Sequence, residues 1–244
     1  MIHWLVQAAA DNDEIEEGQA PAGLLSASEA ATLAELRVRK RRRDWLVGRW
    51  TAKQLLQRTL AAEDRTLLPQ QIVIDNDPDG APFASLMEQD RVARLPWSLS
   101  ISHSHGLAFC AVHPAEEEGI HYAIGADLEF IEAREDNFVR DYFTPDEMAL
   151  AAQASPRAQA AVVTAVWSAK EAVLKALRTG LRLDTRSIQC LMPVGLPAGD
   201  EWHTFSISVP DDLAPGASWT GWWRRPLQHP DFIMTLAIKA ETVK

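Results

Sequence analysis

Asp127 and Glu129 stand two apart in Ile124-Gly125-Ala126-Asp127-Leu128-Glu129-Phe130, where apolar residues alternate with others. That alternation predicts a half-buried strand. Both carboxylates then share one face, with roughly 6.5–7 Å between their Cα atoms. Paired carboxylates repel and relax most readily around a cation, although the same pattern also fits a solvated strand face. Glu171 and Lys175 are four apart in a helical stretch with Glu first. The plain outcome of that spacing is a surface ion pair worth ~0.2–0.5 kcal/mol. Ser102-His103-Ser104-His105 offers hydroxyl and imidazole donors suited to a phosphate, or ordinary turn residues. Zinc is not expected there, because no third His or Cys lies nearby. Arg37-Val38-Arg39-Lys40-Arg41-Arg42-Arg43 places six cations in seven residues, followed by Arg49, Lys53 and Arg58. Such a run is either a solvated helix face or a local site for phosphate or an acidic partner. Asp75-Asn76-Asp77-Pro78-Asp79-Gly80 opens like a calcium loop, but Leu86 stands where a bidentate Glu is needed. It reads as a turn.

The elements that must position these groups follow from local signals. Ser26 and Glu29 form a capping box, which predicts a helix from about Ala27. A second helix is expected from about Arg42 to Leu60. Short strands follow at Gln71–Ile74 and Trp97–Ile101, then Leu107–Val112, with the Ser/His segment as a hairpin tip. Thr144-Pro145-Asp146-Glu147 combines an N-cap, a Pro at N1 and a capping-box Glu. Ser155-Pro156 repeats the N-cap and N1 signal. The helix it opens should carry Val162 through Arg178 and end at Thr179-Gly180, with Gly as the left-handed cap. Within it Val166, Ala169, Val173, Ala176 and Leu177 form an apolar stripe, with Ser168, Glu171 and Lys175 on another face. Four further strands are expected at Ser187–Met192, Trp202–Val209, Trp219–Arg224 and Phe232–Lys239. No close internal repeat stands out.

Composition narrows the class. The 244 residues are 47% hydrophobic and 24% charged, ordinary for a globular protein. The net charge of −10 argues against a general nucleic-acid binder. No apolar run is long enough to span a membrane, and the N-terminus lacks a leader pattern. Cys110 and Cys190 lie in apolar stretches and read as buried thiols of a reducing compartment. A cytoplasmic location is the default. His113-Pro114-Ala115-Glu116-Glu117-Glu118-Gly119 reads as a connector, which gives an N-terminal half of residues 1–116 and a C-terminal half of 117–244.

Taken in order, Gly125-Ala126-Asp127-Leu128-Glu129, then about forty residues, then Trp167-Ser168-Ala169-Lys170-Glu171-Ala172-Val173-Leu174-Lys175 resembles the two-part signature of the 4′-phosphopantetheinyl transferases. Ile101-Ser102-His103-Ser104 and Tyr142-Phe143-Thr144-x-x-Glu147 are also similar to that family. The length resembles the surfactin-synthetase-activating class. That implies an α+β fold of two similar, pseudo-twofold halves, each a helix packed on an antiparallel sheet, in a monomer. The implied reaction moves 4′-phosphopantetheine from coenzyme A to a serine of an acyl or peptidyl carrier protein, with adenosine 3′,5′-bisphosphate released. No nucleic acid or membrane takes part. The resemblance implies Mg²⁺ held by Asp127, Glu129 and Glu171. It implies Glu171 as general base and Lys175 beside the departing phosphate. Lys170, Ser102 and His103 would contact coenzyme A, with Arg43, Arg49, Arg42 and Lys53 as further candidates. One departure is visible: family members often carry Gly-Lys-Pro where this chain has Gly80-Ala81-Pro82. The alternatives are a non-catalytic module binding coenzyme A or carrier protein, and a metal-dependent nuclease. The nuclease fits less well, because its Glu and Lys usually share a strand.

Overall fold

The structure is a computed structural model and describes residues 1–61, 67–88 and 91–243. The fold is α+β, and the chain divides into two compact units, Met1–Glu116 and Glu117–Lys244. No helix among the described residues is long and apolar enough to cross a membrane.

The first unit contains β1 (His3–Ala8), α1 (Asp13–Glu16), α2 (Ala27–Glu35), α3 (Arg39–Ala61), β2 (Ile72–Asn76), β3 (Pro82–Glu88), β4 (Arg91–Arg94), β5 (Trp97–Ser104) and β6 (Leu107–Pro114). They form antiparallel sheets of order β1-β6-β5 and β2-β3-β4. The capping box forms as read: Ser26 Oγ accepts from Glu29 N–H, and the Glu29 carboxylate accepts from Ser26 N–H. Between β5 and β6, His105 and Gly106 both have positive φ, 49° and 81°. That is the backbone a two-residue hairpin demands. The turn is therefore tighter than the segment predicted as a tip, and Ser102 and His103 belong to β5 itself. The Asp-rich loop is a turn as expected. Gly80 has φ 93°, and Asp77 takes a bidentate pair from Arg94.

The second unit contains β7 (Glu116–Glu117, at the boundary), β8 (Ile120–Phe130), α4 (Asp136–Tyr142), α5 (Pro145–Gln153), α6 (Gln159–Ala176), β9 (Gln189–Leu191), β10 (His203–Ser208), β11 (Ser218–Arg224) and β12 (Phe232–Thr242). Its sheet has the order β7-β8-β12-β11-β10-β9. Helix α6 packs on β8 and β12 over a core that includes Val162, Val166, Ala169, Val173 and Ile233.

Both ends of α6 differ from expectation. Ser155-Pro156 opens a turn, in which Ser155 O accepts from Ala158 N–H and Gln159 N–H, and the helix begins only at Gln159. At the other end Thr179 N–H reaches Leu174 O and Arg178 N–H reaches Lys175 O. This pair of bonds is the Schellman cap. Its left-handed residue is Arg178, φ 61°, two residues before Gly180.

The structure also exposes an internal repeat that reading the sequence by eye misses. Trp50-Thr51-Ala52-Lys53-Gln54-Leu55-Leu56-Gln57-Arg58 on α3 matches Trp167-Ser168-Ala169-Lys170-Glu171-Ala172-Val173-Leu174-Lys175 on α6. Each helix is preceded by a capping box whose Glu is buried. Glu29 takes Lys53 Nζ at 2.5 Å, and its other oxygen accepts from Ile74 N–H. Glu147 takes Lys170 Nζ at 2.9 Å, and its other oxygen accepts from Cys190 N–H. In both units one carboxylate thus caps a helix, neutralises a buried lysine and anchors the strand that follows the long helix.

Candidate functional site

Helix α6 is buried on every side between Ala161 and Ala176 except at Glu171 and Lys175. A helix hydrophobic all round belongs inside a core. The two positions that keep water contact are therefore the informative ones. The strand beneath them is β8. A Cβ placed on Gly125 would lie 1.8 Å from Ala172 O and 2.9 Å from Ala176 N. Only glycine lets the helix backbone come this close. Side chains two apart on a strand share a face, so Asp127 and Glu129 continue the face on which α6 rests.

Lys175 crosses to that strand. Its Nζ donates to Asp127 Oδ1 at 2.7 Å and to Ala126 O at 3.0 Å. Asp127 is buried, with its side chain 3% exposed. Glu129 takes Arg134 Nη2 at 3.3 Å, and the same guanidinium reaches Glu132 at 3.0 Å. Arg134 is a member of the site that sequence reasoning missed. It lies in the connection after β8, outside any recognisable pattern, and its guanidinium also covers the Phe138 ring.

The carboxylates push one another toward the protonated form. Burial, with Asp127 next, raises Glu129 to about 7, and Glu171 contributes to the same rise. Burial and then Asp127 also raise Glu171, while Lys175 opposes the shift. Three mutually repelling oxygen donors suit a hard divalent cation such as Mg²⁺, which takes carboxylates, phosphates and water. As arranged, no cluster of three His, Cys, Asp or Glu side chains among the described residues is set to hold a metal. Lys175 and Arg134 supply the neutralising charge to two of the three carboxylates instead. The donor chemistry fits the ion.

Of the residues predicted to act, Asp127, Glu129, Glu171 and Lys175 come together. Lys170 does not join them. It is fully buried, and its three N–H groups go to Glu147, Thr185 O and Ile188 O. An ammonium has three donors and all are used, so its expected contact with a substrate phosphate is withdrawn. Lys53 is buried in the same manner against Glu29 and Leu24 O. Arg42 is likewise committed, since it donates to the carbonyls of Gly18, Leu33 and Leu36 and closes the end of α2.

The remaining candidates lie in the first unit. Ser102 is buried and His103 exposed on β5. The His103 ring lies 4.0 Å from where a Cβ on Gly48 of α3 would stand. Arg43 lies against the hairpin glycine, its Cζ 3.8 Å from the Cβ position of Gly106, and pairs with Glu16 and Asp44. Arg49 stacks over Trp45, and burial lowers its pKa despite the nearby Glu29. The basic run is also partly neutralised from within, through Arg39 with Glu17 and Arg43 with Glu16.

Comparison with known proteins bears on the second unit most directly. The family model described as the 4′-phosphopantetheinyl transferase superfamily matches residues 123–219, a span that contains all four clustered residues. The chain is similar to the 4′-phosphopantetheinyl transferase HetI of Nostoc sp., with 28% identity over 196 residues, 78% of this chain and 76% of that protein. Among solved structures, it is similar to a holo-(acyl-carrier-protein) synthase of Bacillus anthracis in complex with CoA (3′,5′-ADP). The TM-score is 0.36 and the identity 20%, over 46% of this chain and 91% of that one. The holo-[acyl-carrier-protein] synthase of Thermotoga maritima aligns with TM-score 0.37 and 17% identity, over 59% and 74% of the two chains. The family match over the second unit and the Nostoc relative agree in making the chain similar to the 4′-phosphopantetheinyl transferase superfamily.

Proposed function

We propose that the protein transfers 4′-phosphopantetheine from coenzyme A to a serine hydroxyl of an apo carrier protein, as a member of the surfactin-synthetase-activating class. The observation that carries this reading is the pairing of α6 with β8. From Ala161 to Ala176 the helix is buried except at Glu171 and Lys175, and those two meet Asp127 and Glu129. Similarity to the 4′-phosphopantetheinyl transferase superfamily supports the reaction class.

Asp127, Glu129 and Glu171 would hold Mg²⁺, which supplies charge neutralisation for a pyrophosphate when bound. Glu171 accepts the proton of the carrier serine. Its raised pKa makes it a stronger base than an exposed carboxylate, which favours that transfer near neutral pH. Lys175 sits one helical turn on and presents its ammonium on the same side, where it stabilises negative charge on the departing bisphosphate. Ser102, His103, Arg43 and Arg49 are the coenzyme A contacts of this reading, and an acyl or peptidyl carrier is the acceptor. The protein would act as a cytoplasmic monomer.

Incubation with coenzyme A, Mg²⁺ and apo carriers of fatty-acid, polyketide and peptide type, followed by intact mass, tests the reading. One phosphopantetheine group should be gained by at least one carrier, and the gain should vanish with a chelator. Coenzyme A binding without any mass gain would instead make the chain a binding module.

A further inference from the structure

The transferase reading places Glu171 and Lys175 above Asp127, and something must fix α6 along its axis for those groups to meet. Lys170 ties the helix to Glu147, Thr185 and Ile188 away from β8, and Gly125 and Lys175 tie it to that strand from Ala172 onward. One turn earlier, Ser168 and Thr235 are both fully buried, and their hydroxyls lie 2.9 Å apart. Thr235 Oγ1 also lies 2.8 Å from the backbone oxygen of Ser168. Thr235 has one hydroxyl proton, which the carbonyl receives. Ser168 must then be the donor in the hydroxyl–hydroxyl contact. Both side chains are satisfied only in this mutual arrangement.

Its position bears on the site. Thr235 of β12 is the cross-strand partner of Asp127 of β8. Ser168 precedes Glu171 by three residues and Lys175 by seven, so it stands on the same side of α6. The clasp therefore ties the helix to the sheet at the register of the key carboxylate.

The first unit supplies a built-in control. There the hydroxyl matching Ser168 is Thr51, and it turns back onto its own helix, donating to Val47 O at 2.7 Å. Gln7 of β1 meets the helix at Gln54, and its cross-strand partner is Ala108, which has no hydroxyl. The clasp is present where carboxylates face the helix and missing where amides do.

We infer that Ser168 and Thr235 are positioning residues, which hold Glu171 and Lys175 in register with Asp127 for phosphoryl transfer. This inference rests on the transferase reading. Thr235→Val keeps shape and removes both the donor and the acceptor, Thr235→Ser keeps both, and Ser168→Ala removes one bond of the two. With wild-type transfer established, Thr235→Val should lose about 10–10²-fold in kcat. The KM for coenzyme A should stay within about twofold, as expected when only transition-state geometry is disturbed. Thr235→Ser should restore most of the rate, and Ser168→Ala should fall between. Wild-type kcat in Thr235→Val, or equal damage in Thr235→Ser, overturns the inference. If wild type transfers to no carrier, the functional reading fails separately. A crystal structure of Thr235→Val then decides the clasp: loss of the Lys175–Asp127 bond supports it, and an unchanged bond overturns it. Should Thr235→Val not fold, Ser168→Ala carries the same kinetic and structural comparison.

Discussion

Trp50–Arg58 and Trp167–Lys175 set the same pattern on the long helix of each unit, yet the surroundings of the two copies differ in one direction. What they share is the scaffold: a lysine buried against a capping-box Glu, which also holds the strand after the helix. What differs is charge. Gln54 stands for Glu171, Gln7 for Asp127 and Arg58 for Lys175. In the first unit Gln7 and Gln54 bond amide to amide at 3.2 Å, and Arg58 turns to Gln54 on its own helix. In the second unit the lysine instead reaches the strand carboxylate. Leu5 of β1 stands where β8 has Gly125, so only α6 can lie with its backbone against the strand. The shared residues build the scaffold, and the differing ones set the charge that each helix presents to its strand.

Several substitutions would break or refine that contrast. The largest effect is expected at Asp127. Asp127→Ala should reduce transfer to background while circular dichroism and cooperative unfolding persist, whereas Gln7→Ala should leave transfer measurable. Unfolding of Asp127→Ala would make that carboxylate structural. Next come the buried lysines, which should behave alike because they belong to the shared scaffold. Lys53→Ala and Lys170→Ala should each lose about 3–5 kcal/mol by urea unfolding, since each strands a buried carboxylate. A loss at Lys170 alone would mean that the repeat is only skin-deep.

Gly125→Ala is expected to be milder in stability and selective in activity. A methyl group 1.8 Å from Ala172 O forces the helix outward. Overpacking of this kind costs about 1–3 kcal/mol, and kcat should fall with the lost register. Leu5→Ala should affect stability alone.

The smallest effect concerns pH. Glu129 titrates near 7 in the folded protein against an ordinary 4.5, through burial and then Asp127. Below 4.5 the group is protonated in both states and contributes nothing. Between 4.5 and 7 the folded state holds a proton that the unfolded chain releases, so stability falls as pH rises. Metal-free protein should thus unfold at lower urea at about pH 8 than at about pH 5.5, and Glu129→Gln should flatten that slope. A slope unchanged in Glu129→Gln would assign it to other groups.

Much of this was legible in the sequence because the signals are local. Both capping boxes, the strand carrying Asp127 and Glu129, and the helix carrying Glu171 and Lys175 depend on residues close in the chain. The misreading at Lys170 and the unseen Ser168–Thr235 pair share a physical origin, partners brought together from far away. Glu147 is recognisable as a cap, but its second oxygen serves Cys190 N–H, 43 residues on, and the buried Lys170. Nothing beside Lys170 announces that it faces inward. Thr235 lies 67 residues from Ser168, and neither position carries a local pattern. The repeat escaped notice for a different reason. A search for carboxylates passes over Gln54, although Trp, Ala and Lys keep their places around it. Arg178 took the left-handed cap because α6 ends at Ala176, four residues before the glycine that local preference favours.

The contrast between the two helices is tested most directly at Glu171 by substituting the residue its counterpart carries. Glu171→Gln gives α6 the amide that α3 has at Gln54. Incubated with coenzyme A, Mg²⁺ and a carrier that wild type modifies, it should leave the carrier mass unchanged, with stability retained or raised. Carrier modified by Glu171→Gln at the wild-type rate would contradict the assignment of the chemistry to this carboxylate.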